Sequence, residues 1–262
     1  MALQYHLKVD DGDVAPFVLL PGDPGRVPLV AATWDDAREV ARNREYVTYT
    51  GTYKGVPISC TSTGIGAPST AIAVEELARV GARTFVRIGT CGTFRHDVAL
   101  GDLAIFDAAE RFDGASRLYA PIEFPAAAHH EVVAAAIEAA GRVGVPFHVG
   151  TTHSTDLFYP PRPGGSAGGV VQSTWAERYE DIARRGVLGV EMEASVIFVL
   201  ARQWGMRGGA IAVVTDSMVE EMSSDAGDWD PQASFVYGPE QIERLARAGS
   251  EIAVVLAERD AR

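Results

Sequence analysis

Residues 84–88, Thr-Phe-Val-Arg-Ile, form an apolar run with an arginine, Arg87, in its middle. The run reads as a buried strand, and an unpaired charge in such a place costs several kcal/mol. An anion must therefore meet Arg87, either a carboxylate of the chain or an anionic ligand. Gly89-Thr90-Cys91-Gly92 follows and marks the end of the predicted strand. Its glycines would let the backbone approach a ligand, and Thr90 supplies a hydroxyl. Arg26 stands after the turn Pro21-Gly22-Asp23-Pro24-Gly25, where a helix should begin. Free N–H groups and the positive dipole end favour anions there, although a solvent-facing arginine fits the same letters. Two glutamates, Glu191 and Glu193, precede an apolar helix. Only one of them can share its apolar face, so the spacing predicts that one is buried. A buried carboxylate needs donors: sugar hydroxyls, a core arginine or backbone N–H groups would all serve. Asp216 ends the apolar run 209–214, an acid at a strand end of the kind open α/β sheets offer to ligands.

Other motifs fail on context. Gly64-Ile65-Gly66-Ala67-Pro68-Ser69 lacks the third glycine of a dinucleotide fingerprint, and no Gly-Lys-Ser/Thr loop exists. Residues 164–168 spell G-x-S-x-G, but prolines at 160, 161 and 163 replace the strand a nucleophile elbow needs, so 160–169 reads as a flap. His129-His130-Glu131 reads as a solvated helix start, because adjacent histidines diverge on a helix.

The elements that must position these residues alternate between two periods. Strands are predicted at 17–20, 46–50, 56–62, 84–88, 101–106, 146–150 and 209–214. Helices are predicted at 27–32, 70–80, 131–143, 196–201 and 239–257, with an acidic irregular stretch at 218–238. That alternation is an α/β pattern. No repeat or linker divides residues 1–262, so one domain is expected. The 47% hydrophobic content is ample for a core, and a formal net charge of −12 argues against nucleic-acid or anionic-membrane partners. The two cysteines make no disulfide framework, and neither a signal peptide nor an uncharged spanning segment is seen, so a cytoplasmic location is expected.

Taken in order, Leu3-Gln-Tyr-His6, Pro21-Gly-Asp-Pro24, Ser62-Thr-Gly-Ile-Gly66, Arg87-Ile-Gly-Thr90, Asp113-Gly-Ala-Ser116, Ala120-Pro-Ile-Glu-Phe-Pro125 and Glu191-Met-Glu193 form a set. With it the chain resembles the nucleoside phosphorylases of the uridine phosphorylase and hexameric purine nucleoside phosphorylase type. The resemblance implies a three-layer α/β/α sandwich around a mixed, partly barrelled central sheet. It implies a homohexamer, a trimer of dimers, and reversible phosphorolysis of a nucleoside to free base and pentose 1-phosphate. Phosphate would lie on Gly22, Arg26, Arg87 and Thr90, with Arg44 from the neighbouring subunit. Ribose would lie on Met192 and Glu193, with His6 reaching across the dimer to the 5′ hydroxyl. Cys91, Gly92, Phe158, Arg162 and Asp216 would border the base. Glu45, Ile65 and Ser69 match positions that hold a monovalent cation such as K+ between subunits in some relatives. Phosphate is a co-substrate, and no redox cofactor is implied.

Two details bear on the base. Many uridine phosphorylases read uracil with a glutamine and an arginine two residues apart; here Arg162 and Gly164 stand near those places. Val213-Val-Thr-Asp216 instead resembles the purine branch, in which the aspartate protonates the imidazole nitrogen. Overall similarity favours a uridine-type pentosyltransferase. The alternatives are a purine nucleoside or methylthioadenosine phosphorylase using Asp216 as acid, a nucleosidase, or a non-catalytic nucleoside-binding protein.

Overall fold

A computed structural model describes residues 3–159, 166–170, 172–218 and 238–262 of the protein. Chain order gives β1 (Phe17–Leu20), α1 (Arg26–Ala31), β2 (Asp36–Asn43), β3 (Tyr46–Tyr53), β4 (Val56–Thr61), α2 (Ala67–Arg79), β5 (Thr84–Thr93) and β6 (Leu103–Phe112). There follow α3 (Gly114–Tyr119), α4 (His130–Val143), β7 (Phe147–Thr155), α5 (Trp175–Arg184), β8 (Gly189–Glu191), α6 (Ala194–Gln203), β9 (Arg207–Ser217) and α7 (Pro239–Asp260).

The strands form one mixed sheet in the order β2-β3-β4-β1-β5-β8-β7-β6-β9, and β9 returns to pair with β5. Strands β5, β8, β7, β6 and β9 thus close on themselves as a barrel, while β1 to β4 extend as an open wing. Two apolar clusters cover the two sides of this sheet. Helices α2, α3 and α6 lie in one, and α1, α4 and α7 in the other, giving the three layers expected. Residues 194–201 of α6 are all buried, which is why that segment is apolar on every side. Burying each large apolar side chain there contributes about 1.5–3 kcal/mol.

Strand β5 does not stop at Ile88. It runs on to Thr93 because β9 pairs with it in parallel along its whole length, with one irregularity between Cys91 and Gly92. On its other side it pairs first with β1, through residues 84–87, and then with β8, through Gly92 and Thr93. Neither of the two glycines needs a positive φ, but both positions need the absence of a side chain. A Cβ on Gly89 would lie 2.7 Å from the Arg87 guanidinium carbon, and one on Gly92 would lie 2.6 Å from Asp216 Oδ2. They make room for two functional side chains.

His129 and His130 also depart from expectation. Their rings stack at 4.8 Å and 25°, because His129 is the extended N-cap of α4 and not part of the helix. Among the described residues, no helix is long and apolar enough to cross a membrane.

Candidate active site

The carboxyl ends of β1, β4, β5, β7, β8 and β9 open on one cavity of about 640 Å³. Open α/β sheets bind ligands at such ends, where backbone groups and loop side chains converge. Gly22 reaches it from the turn after β1 and Arg26 from the start of α1, while Glu45 comes from the hairpin after β2, Ile65 from the loop after β4 and Ser69 from the first turn of α2. Arg87, Thr90, Cys91 and Gly92 enter from β5, Phe158 from beyond β7, Met192 and Glu193 from the β8–α6 junction, and Asp216 from β9.

At its centre Arg87 meets both glutamates. Its Nε lies 2.8 Å from Glu191 Oε2, and its Nη2 lies 2.7 Å from Glu193 Oε2. Glu191 is 4% exposed and Glu193 3%, so the expectation that only one would be buried is wrong. Neither residue is on the helix face: Glu191 ends β8, and Glu193 is the N-cap of α6. Of the two alternatives at Arg87, the carboxylate of the chain is realised, and the side chain also lines the open chamber. Burial works against its charge, but the two carboxylates outweigh that and hold its pKa above the ordinary arginine value. At Glu193 the balance tips the other way. Burial pushes its pKa up, Arg87 pulls it down, and Glu191 adds to the upward push. Glu193 Oε1 also accepts the Gly66 N–H at 2.6 Å, which ties the carboxylate to the glycine loop before α2.

Arg26 extends into the same chamber with its Nε 4.0 Å from Asp23 Oδ2. Asp216 is buried and accepts the Thr215 hydroxyl at 2.8 Å. Burial raises the Cys91 thiol well above its usual pKa, so Cys91 is wall and not nucleophile. Phe158 is half-exposed and meets Tyr159 edge-on at 5.0 Å. Ser69 Oγ donates to the Ile65 carbonyl at 3.0 Å at the rim.

Two of the described predicted residues, Arg44 and His6, are not among those lining this chamber. Arg44 is exposed in the turn between β2 and β3, with a left-handed φ of 55°. His6 is held away from the cavity by Glu76, whose Oε1 lies 2.8 Å from its Nδ1. Arg162 lies outside the described residues. Conversely, the cavity wall includes Leu157, Tyr179, Val190 and Met218, which the motifs did not flag. Tyr179 was recoverable: Trp175, Tyr179 and Ile182 repeat at helical spacing and are the buried face of α5.

A family model described as the phosphorylase superfamily matches residues 16–249. The chain is 47% identical over 226 residues to the uridine phosphorylase of Thermococcus kodakarensis, covering 86% of this chain and 82% of that one. It is 41% identical over 214 residues to the Escherichia coli uridine phosphorylase, covering 80% and 84%. The guanosine phosphorylase of Halorubrum lacusprofundi is 38% identical over 249 residues, 94% of this chain and 96% of that one. The barrelled three-layer fold, the ordered motifs and this similarity over most of the chain agree: the protein belongs to the phosphorylase superfamily, among its nucleoside phosphorylases.

Proposed function

We propose that the protein catalyses reversible phosphorolysis of a nucleoside, with uridine-type substrates favoured, to free base and pentose 1-phosphate. The observation that carries this is the gathering of Arg26, Arg87 and Thr90, Met192 and Glu193, and Cys91, Gly92, Phe158 and Asp216 around a single chamber. The first group suits phosphate, whose oxygens match planar guanidinium forks. The second suits a ribose, with Glu193 accepting from the sugar hydroxyls, and the third borders a planar base.

Glycosidic cleavage develops positive charge near C1′ while the base departs with negative charge. The Arg87 cluster sets one guanidinium against two carboxylates, an excess of negative charge that favours the cationic sugar. That excess also means Arg87 alone does not neutralise phosphate. Arg26 supplies a second cation, and Arg44, exposed on its turn, would supply a third to a neighbouring copy in a trimer of dimers. His6 would serve the neighbour's 5′ hydroxyl in the same way. Glu45, Ile65 and Ser69 would offer carboxylate, carbonyl and hydroxyl oxygens to a monovalent cation between copies. Such a reaction would serve nucleoside salvage.

The test is base release from uridine, thymidine, inosine and adenosine, each with and without phosphate. Phosphate-dependent uracil release is the expected result; release without phosphate overturns phosphorolysis in favour of hydrolysis. A purine reading has its own support in the buried Asp216 and in the similarity to a guanosine phosphorylase. If Asp216 protonates a purine, Asp216→Asn lowers purine turnover by about 10²-fold or more and spares uridine. Equal losses on both substrates would contradict that role.

A further inference from the structure

Glu191 and Glu193 flank the same guanidinium but are held very differently. Glu193 is held by the Gly66 N–H and by Arg87. Glu191 is anchored from behind: its Oε2 accepts the N–H groups of Glu193 and Ala194 at 2.9 and 2.8 Å, and its Oε1 accepts the Ser154 hydroxyl. Ser154, on β7, is fully buried and does not line the cavity.

We infer that Ser154 is a positioning residue for Arg87, acting through Glu191; the inference rests on the phosphorolysis proposed above. A hydroxyl has one proton to give. The Ser154 oxygen accepts the Ser195 N–H at 3.1 Å, which directs its own proton to Glu191. Ser195 Oγ then donates to Asp113 Oδ2, which also accepts the Ser116 hydroxyl at 2.7 Å, while Asp113 Oδ1 accepts the Ser116 N–H at 2.6 Å. The Ser116 oxygen in turn accepts Arg111 Nε–H at 3.1 Å. Each hydroxyl in this line accepts or donates in only one sense, and no member is exposed by more than a few per cent. Glu191 is thereby fixed to β7, α6 and α3 and keeps the Nε edge of Arg87 still. Glu193, whose carboxylate is held by the Gly66 N–H and Arg87, is the one left to turn to the sugar in the proposed reaction. The division of labour predicts that loss of the Ser154 hydroxyl disturbs phosphate and leaves the nucleoside nearly alone.

The experiment is steady-state kinetics of Ser154→Ala in the full chain, varying phosphate and nucleoside separately. Leaving Glu191 one donor short should raise KM for phosphate about tenfold and change KM for nucleoside less than about twofold. Ser154→Thr, which keeps the hydroxyl, should recover most of the phosphate KM. A folded Ser154→Ala whose phosphate KM is unchanged overturns the inference, because mere structural support would lower stability without that split. Should Ser154→Ala not fold, Ser154→Cys, which nearly keeps the size and weakens the donor, carries the test, with a rise of about two- to threefold expected and an unchanged phosphate KM overturning it. Wild-type turnover indifferent to phosphate is a different failure: it removes the proposed function, and this inference with it.

Discussion

Two buried arginines solve the same problem by opposite means. Arg111, 5% exposed at the end of β6, is held by neutral oxygens. Its Nη1 donates to the carbonyls of Pro121 and Phe124, both at 2.6 Å, and Ile122, and its Nη2 to those of Ser116 and Ala120 at 2.6 and 2.8 Å. Burial lowers its pKa, since carbonyl dipoles compensate the lost water only in part. Arg87, equally buried, faces two carboxylates, and its pKa is raised. A carbonyl cage fastens a cation to one loop conformation and leaves it nothing to exchange. Carboxylate partners keep a charged cluster at a cavity wall, where a ligand can compete for either member. The first arrangement builds the 113–124 loop; the second builds a site.

That contrast can be broken by exchanging each arginine for alanine. Arg87→Ala should show the largest effect, a loss of phosphate-dependent turnover of about 10³-fold. It should also destabilise the fold by about 3–5 kcal/mol at neutral pH, because two buried carboxylates lose their cation. The stability loss should shrink on acidification as Glu193, already raised in pKa, takes up a proton. Steady-state kinetics and urea unfolding at two pH values check both parts, and full activity would remove Arg87 from the mechanism.

Arg111→Ala should give a comparable stability loss, about 3 kcal/mol, as its acceptors lose a buried donor. Its kcat/KM at a temperature where it remains folded should stay within about threefold of wild type. A phosphate KM as damaged as that of Arg87→Ala would erase the distinction between cage and site.

The smallest effect lies in the pH profile. Native Glu193 binds its proton more tightly than the ordinary carboxylate, so its ionised form costs stability, and stability rises as pH falls through the native value. In the proposed reaction its ionised form also accepts the sugar hydroxyls. The acid limb of kcat/KM should therefore fall at a pH above the ordinary glutamate value of 4.5. An acid limb at or below that value would mean that a different group governs the profile.

Much of this was legible in the sequence because burial and charge conflict visibly at a few positions. Arg87 inside an apolar run had to have an anion, and two glutamates before an apolar helix had to have donors. That they were each other's partners depends on β8 pairing with β5 across more than a third of the chain, which no local pattern encodes. Helical geometry was the wrong guide to Glu191 and Glu193 because the helix begins after them. Gly89 and Gly92 were recognised as necessary, but their reason, space for Arg87 and Asp216, is a tertiary one. Strand β2 was missed because Asp-Ala-Arg-Glu-Val-Ala-Arg-Asn is largely exposed at the sheet edge and does not alternate. Helix α5 carried a readable pattern, and with it Tyr179, in a stretch that follows the proline-rich residues 160–163.

The closure of β5 against β9 has a consequence for how the molecule is made. Thr84 pairs with Arg207 and Thr93 with Ser217, so the seam joins segments synthesised far apart. Until the second arrives, a nascent chain presents β5 with one edge unfilled and Arg87 without Glu191 or Glu193. Pairings of such sequence separation form slowly, since loop closure precedes their reward. The candidate site thus draws on the last strands to be made, and Arg87 gains its carboxylate partners only after most of the chain has been synthesised.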